Sequence, residues 1–353
     1  MPFRFRDNVE KMQGYTPGFQ PTEADAIKIN TNENPYPPSP KVFEALANLD
    51  SEALRRYPPV RGDAFRRTAA KVHGIDPEMI VCGNGGDELL TILMRCCCDE
   101  KRPLAYPIPS YSLYPVLAEI QKAPTIEIPW GENYSIPKEL YQTDAALTIL
   151  CNPNAPTGTL VSMDEVRQLA QAVEGVLMID EAYVDFSDHN CLPLVKEFDN
   201  VLILRSMSKG YSLAGMRFGY AMGSRRIAEA MFKVKDSYNV NMATQAAATA
   251  ALSDQVYFRR IINKIITERE RLITALREIG FAVPPSQTNF VLAQIKEPAA
   301  RQVYEKLIQR HIYVRYFEKE GLDDKLRITV GTPPQTDVLL GALREIINGL
   351  LQD

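Results

Sequence analysis

The chain has 353 residues, more than one hydrophobic core ordinarily serves, so a large domain and a smaller one are expected. Apolar residues make up 45% and charged residues 24%, the balance of an ordinary globular protein. With 40 basic against 44 acidic residues and a net charge of −4, no basic face is indicated, which argues against nucleic-acid binding. The opening stretch MPFRFRDNVEKMQGYTPG lacks the apolar core of a signal peptide. No later run is long and apolar enough to cross a bilayer, so the cytoplasm is the expected location and no membrane contact is expected. Cys82, Cys96, Cys97, Cys98, Cys151 and Cys191 suit that setting. Cys96–Cys98 follow the apolar stretch LLTILMR, and no second Cys/His group stands at metal-site spacing. Buried thiols are expected there, and no metal site.

Residues 1–38 are irregular and rich in Pro and Asn (TNENPYPPSP), which predicts an ordered arm. After Ser39-Pro40, KVFEALANL has helical periodicity, with proline where a first turn tolerates it. MIVCG predicts a short strand and DELLTILMRCC a helix. ALTILCN, GVLMIDEAY and NVLILRSM are apolar runs of buried-strand type, separated by polar helical stretches such as SMDEVRQLAQAVE. This alternation predicts an α/β domain over residues 39–255, its mostly parallel sheet covered by helices on both faces. From residue 256 the pattern changes. The charged helix YFRRIINKIITERERLITALREIG ends at Gly280, a suitable C-cap. Short strands (TNFVLAQI, HIYVRYF, KLRITVG) and the helices AARQVYEKLIQR and TDVLLGALREIINGLL then predict a smaller α+β domain over 256–353. There is no internal repeat and no low-complexity segment.

The most informative segment is SMSKGYSLAGMR, residues 206–217, directly after the strand VLILR. A lysine at a strand-to-loop junction can be held rigidly, and burial favours the neutral amine that forms imines. Ser206, Ser208 and Arg217 supply hydroxyls and a guanidinium suited to a phosphate. Read alone, Lys209 could equally be a solvated surface lysine. Asp180 ends an apolar strand, where a carboxylate needs a cationic partner or serves as a helix N-cap. A protonated pyridine nitrogen is one such partner. GNGGDE, residues 83–88, is a glycine-rich turn opening a helix, which either cradles phosphate through backbone N–H groups or merely joins strand to helix. Tyr111 in PSY offers an aromatic face, although most such tyrosines are core. CNPNAPTG, residues 151–158, places asparagines at a strand's C-terminal edge, where open α/β sheets bind ligands.

In order, these are a phosphate-type turn, an aromatic face, an Asn-Pro turn, a strand ending in Asp, and a Lys loop with a trailing Arg. The order resembles the fold-type I pyridoxal 5′-phosphate (PLP) dependent aminotransferases over nearly the whole chain. Within them it is similar to the histidinol-phosphate aminotransferases. TNENPYPPSP, RRYP, GNGGDELL, PSYSLY, NPNAPTG, DEAYVDF, RSMSKGYSLAGMRFGY and LRITVGT stand in that family's order. The resemblance implies an aspartate-aminotransferase-like fold with Lys209 carrying the cofactor as a Schiff base and then moving protons. Asp180 would pair with the pyridinium, Tyr183 would contact the ring oxygen and Tyr111 would stack on the ring. Gly86, Asp87, Ser206, Ser208 and Arg217 would surround its phosphate, and Tyr57 would reach the neighbouring subunit's phosphate in a homodimer. Arg327 and Arg315 would hold the substrate anion, with Asn289 and Tyr15 lining the substrate pocket.

Many relatives have asparagine immediately before Pro-Thr-Gly, bonded to the ring oxygen; here that residue is Ala155. Either Asn154 shifts into the role or Tyr183 carries the contact alone. The reaction implied is transamination between L-histidinol phosphate and 2-oxoglutarate. Rival readings are a threonine-phosphate decarboxylase and an aromatic amino-acid aminotransferase. A PLP-sensing transcription regulator is disfavoured, because the arm is too short and too little basic to be a DNA-binding domain.

Overall fold

The computed structural model describes residues 3–352. The arm carries α1 (Asp7–Lys11) and β1 (Ile27–Lys28), and three helices follow: α2 (Pro40–Ala47), α3 (Ser51–Arg55) and α4 (Asp63–His73). α2 starts as its sequence suggests, with Pro40 in the first turn and the Ser39 hydroxyl accepting from the Lys41 N–H. Strands and helices then alternate: β2 (Ile80–Gly83), α5 (Gly86–Cys97), β3 (Leu104–Ile108), α6 (Leu113–Gln121), β4 (Thr125–Pro129), β5 (Leu147–Cys151), α7 (Met163–Ala172), β6 (Val176–Asp180), β7 (Val201–Ser206) and β8 (Gly219–Gly223). Helices α8 (Arg225–Val234), α9 (Met242–Ser253) and α10 (Gln255–Glu278) lead to β9 (Phe290–Gln294) and α11 (Ala300–Ile308). The chain ends with β10 (Ile312–Tyr313), β11 (Arg315–Tyr316), β12 (Lys325–Thr329) and α12 (Pro333–Leu350).

The large sheet has seven strands in the order β2-β8-β7-β6-β5-β3-β4. β7, β6, β5, β3 and β4 run parallel, while β8 is antiparallel to both of its neighbours. The expected α/β fold is therefore present, with one reversed strand. Both faces of the sheet are covered. Cys82, Leu150, Ile179 and Ile203 pack into the core on one side, and their chain neighbours Val81, Ile149, Met178 and Leu202 into the core on the other. That alternation explains why these strands read as unbroken apolar runs. β1, β3, β4 and β8 had no counterpart among the expected strands.

The C-terminal part forms a three-stranded antiparallel sheet, β11-β12-β9, sharing a separate core with α10 and α12. Ile265, Leu272, Val291, Ile328 and Leu343 lie in that core. α10 ends as predicted: Gly280 has φ +104°, and the Phe281 N–H turns back to the Leu276 carbonyl at 3.0 Å. The arm is stitched on through β1, which pairs in parallel with β10. Cys97 and Cys98 are buried in the large sheet's core and Cys96 is half-buried. Among the described residues no helix is long and apolar enough to cross a membrane.

Candidate active site

A cavity of about 780 Å³ opens at the C-terminal edge of the large sheet and is also lined by the arm and the small sheet. Asp180, the last residue of β6, reaches it with only 3% of its surface exposed. Its carboxylate accepts from the Tyr114 hydroxyl at 2.7 Å and from the Ala182 N–H at 3.1 Å. Burial nevertheless pushes its pKa up to about 6, against 3.8 for an ordinary aspartate, and those two donors only moderate the rise. Among the described residues no cationic side chain pairs with it. The carboxylate is thus held ready for a positive group in the cavity.

Lys209 stands in the loop after β7. Its ammonium donates to the Thr31 carbonyl at 3.0 Å and lies 5.7 Å from the Tyr183 ring centre. The backbone is clamped from the arm, because the Asn34 amide donates to the carbonyls of Lys209 and Gly210 at 3.0 and 3.1 Å. Burial brings the amine down to about 8, with the Arg327 charge adding to the shift. A lysine so placed is still mostly protonated at neutral pH, but it reaches its nucleophilic neutral form far more readily than an ordinary lysine.

The glycine-rich turn forms one wall. Gly85 is the N-cap of α5 with φ +91°, and no side chain caps the helix, so its first N–H groups face outward. The Arg217 guanidinium lies against this turn: a Cβ built on Gly85 would meet its Nη2 at 2.8 Å. Arg217 Nη2 also donates to Asp87 Oδ2 at 3.2 Å. The Ser208 N–H bonds the Ser206 hydroxyl at 3.2 Å, and both serines line the cavity with Gly86, Asp87 and Arg217. An uncapped helix start, hydroxyls and an arginine make an anion cradle. Tyr111 lines the adjoining wall, its hydroxyl 3.3 Å from Asp87 Oδ1.

Opposite, β11 and β12 pair Arg315 directly with Arg327, and both side chains line the cavity. Arg327 donates to the Asn30 carbonyl at 3.2 Å, while its buried Nε has no partner. Among the described residues neither arginine forms an ion pair with a carboxylate. Adjacent guanidiniums with an unused donor mark a second anion site. Tyr15 joins them from the arm, its ring 5.9 Å from that of Tyr111, edge to face.

Lys209, Asp180, Tyr183, Gly86, Asp87, Tyr111, Ser206, Ser208, Arg217, Arg315, Arg327 and Tyr15 all line this one cavity. Asn154 and Asn289 do not, which corrects their expected placement; Tyr57, expected to serve a neighbouring subunit, does not line it either. Asn154 is fully buried beneath the wall, its amide donating to the Pro109 carbonyl at 3.1 Å and the Thr157 hydroxyl at 2.8 Å. The alternation along the turn exposes Ala155 instead. Asn289 lies one layer behind, donating to the Asn32 carbonyl at 2.9 Å. Tyr57 is 79% exposed and stacks on Tyr238 at 4.4 Å between ring centres, away from the cavity. Sequence reasoning missed Tyr114, Thr31, Asn32 and Asn34.

Residues 24–343 match the family model for aminotransferase class I and II. The chain belongs to that family. This aminotransferase is 46% identical over 345 residues to histidinol-phosphate aminotransferase 1 of Trichormus variabilis, covering 97% of this chain and 99% of the relative. It is 44% identical over 342 residues to the histidinol-phosphate aminotransferase of Citrifermentans bemidjiense, covering 97% and 98%. The crystal structure of histidinol-phosphate aminotransferase from Sinorhizobium meliloti in complex with pyridoxal 5′-phosphate superposes with a TM-score of 0.89 at 26% identity, covering 98% of both chains. The aminotransferase fold thus extends over the arm and the small sheet as well as the large one.

Proposed function

We propose that the enzyme transfers the amino group of L-histidinol phosphate to 2-oxoglutarate, giving imidazole-acetol phosphate and glutamate, with PLP as cofactor. The observation that carries the substrate is the Arg315–Arg327 pair without a carboxylate partner, facing a cavity whose opposite wall is already an anion cradle. One cavity with two anion sites suits a phosphorylated cofactor and a phosphorylated amine together. Full-length similarity to relatives of that name supports the choice.

The residues fit PLP. Gly86, Ser206, Ser208 and Arg217 would hold its phosphate, Tyr111 would cover its ring, and the unpaired Asp180 would face its ring nitrogen. Bound PLP supplies an electron sink for the charge left when the substrate α-carbon loses its proton. Lys209 Nζ would hold the cofactor aldehyde, and the same amine, once released, would take the proton from the substrate α-carbon as a general base. Burial suits it to both roles by lowering its pKa to about 8. Asp180 would keep a proton on the ring nitrogen, and Arg315 and Arg327 would anchor the substrate phosphate.

The same reading makes the enzyme a cytoplasmic homodimer in which Tyr57 enters the neighbouring subunit's phosphate site. Tyr57 and Tyr238, which stack on each other, are both exposed, as is Leu54 three residues before Tyr57, an apolar patch suited to burial in an interface. It also divides the chain into an arm (1–38), a PLP-binding domain (39–255) and a small domain (256–353). The test is the absorbance of the PLP-loaded enzyme before and after adding L-histidinol phosphate without any keto acid. Conversion of the cofactor to its pyridoxamine form supports the assignment, and an unchanged spectrum refutes the substrate. Carbon dioxide release from threonine phosphate, or faster turnover of phenylalanine, would point to the rival activities.

A further inference from the structure

Asn32 is 1% exposed and has φ +58°, a conformation that asparagine tolerates better than most residues. Its hydrogen bonds have a defined direction. The Asn32 N–H donates to the Thr329 hydroxyl oxygen at 3.0 Å, and that hydroxyl donates its proton to Asn32 Oδ1 at 3.0 Å. With Oδ1 accepting from Thr329, the other arm of the amide is the NH2 group, and Nδ2 donates to the Tyr183 phenol oxygen at 2.9 Å. Asn289 Nδ2 bonds the Asn32 carbonyl at 2.9 Å and fixes the turn from behind. The phenol oxygen is thereby an acceptor toward Asn32, and its single proton must point elsewhere. On the cavity wall, Ala155 presents only a methyl where a polar side chain could have shared the work of Tyr183.

We propose that Asn32 is a positioning residue that sets the direction of the Tyr183 hydroxyl, leaving its proton free to be donated to the phenolic oxygen of PLP. The inference rests on the cofactor reading above and adds what orients its ring-oxygen donor. An acceptor in place of the Asn32 amide nitrogen would capture the Tyr183 proton and remove that donation. The charged or titratable groups facing Tyr183 are Arg327 from β12, Asp180 from β6, Cys151 from β5, Tyr111 from the loop before α6 and Lys209 from the loop after β7. Asn32→Gly changes none of them, whereas Asn32→Asp adds a carboxylate of its own, so the neutral variant isolates the hydrogen bond.

The test uses holoenzyme and a readout other than turnover. The absorbance of PLP attached to Lys209 titrates with the proton on the nitrogen that joins them, and negative charge on the ring oxygen holds that proton. A hydroxyl donating to the oxygen draws charge away and lowers the midpoint, so loss of the donor raises it. Tyr183→Phe should raise the midpoint by about one unit or more, as expected for a hydrogen bond to a charged group. Asn32→Asp, nearly isosteric but presenting an acceptor, should move it in the same direction by a comparable amount. Asn32→Gly, which also tolerates the positive φ, should give a smaller rise, and Asn32→Gly combined with Tyr183→Phe should match Tyr183→Phe alone.

Wild-type midpoints in both Asn32 variants, while Tyr183→Phe shifts, would overturn the role of Asn32 alone. A double variant shifted beyond Tyr183→Phe would overturn it too, since Asn32 would then act by another route. No shift in Tyr183→Phe would remove the ring-oxygen contact itself, and this inference with it.

Discussion

Asp180→Asn should make the cofactor-free protein more stable while impairing PLP binding. In the folded chain the carboxyl has a pKa of about 6, against 3.8 for an ordinary aspartate. A carboxyl whose folded pKa is raised binds more protons in the folded than in the unfolded state over that interval. Stability therefore falls as pH rises from about 4 to about 6, and the full cost is present above it. Roughly two units at 1.36 kcal/mol each make that cost about 3 kcal/mol at pH 8, shrinking to roughly half at pH 5 and toward nothing near pH 4. Asparagine keeps the shape, can still accept from the Ala182 N–H and can bond the Tyr114 hydroxyl, but carries no charge to bury. Urea unfolding of the two cofactor-free proteins at pH 8 and pH 5 measures the gap directly. A gain near 3 kcal/mol at pH 8 that contracts at pH 5 matches the reasoning. A variant no more stable than the parent, or a gain independent of pH, would refute it.

Three further outcomes follow from the same cavity. Uptake of PLP by the cofactor-free enzyme needs neutral Lys209, whose pKa is lowered to about 8, so the uptake rate should rise as pH increases through about 8; a midpoint near 10, that of an ordinary lysine, would contradict the burial argument. Gly85→Ala forces a side chain onto a residue with φ +91° and sets its Cβ 2.8 Å from Arg217 Nη2. Equilibrium dialysis should show PLP affinity weakened about tenfold or more, and unchanged affinity would exclude the cradle. Arg327→Ala removes the guanidinium with the unused Nε donor and should raise KM for L-histidinol phosphate by about 10- to 100-fold, with a smaller effect on kcat. An unchanged KM in steady-state assays would place the substrate phosphate elsewhere.

The parts of the site legible in the sequence share one property. Asp180, Ser206, Lys209 and the glycine turn each end or immediately follow an apolar run, and a parallel sheet brings all such ends to one edge. What stayed illegible depends on long-range contacts. Asn32 meets Tyr183 across 151 residues and Thr329 across 297, and nothing local tells which asparagine of TNEN turns inward. Tyr114 sits on the buried face of α6, where periodicity assigns any aromatic to the core, so its bond to Asp180 left no signal. Asn154 misled for the opposite reason: the Asn-Pro turn was correctly found, but its side chain is spent on Thr157 within the turn and on the Pro109 carbonyl behind it. Three strands of the large sheet also escaped the pattern. Pro107 interrupts β3, β4 is a half-exposed edge, and β8 begins and ends in glycine, so none reads as a continuous apolar run.

The cavity concentrates charges that the protein itself leaves without opposite partners. Among the described residues Asp180 lacks a cation and Arg315 and Arg327 lack an anion, while Lys209 is pushed toward neutrality. Each is unfavourable in the empty chain, because desolvation is incurred with no matching interaction. The sign of each defect identifies its remedy: a positive ring nitrogen for Asp180, a phosphate for the arginines, an aldehyde for the amine. Folding free energy not recovered within the chain is thus recovered on binding, which should make PLP strongly stabilising toward unfolding. The same logic explains the arm. Thr31, Asn32 and Asn34 fix the positions of Lys209 and Tyr183 by hydrogen bonds that need no ligand, so the reacting groups are aligned before cofactor or substrate arrives.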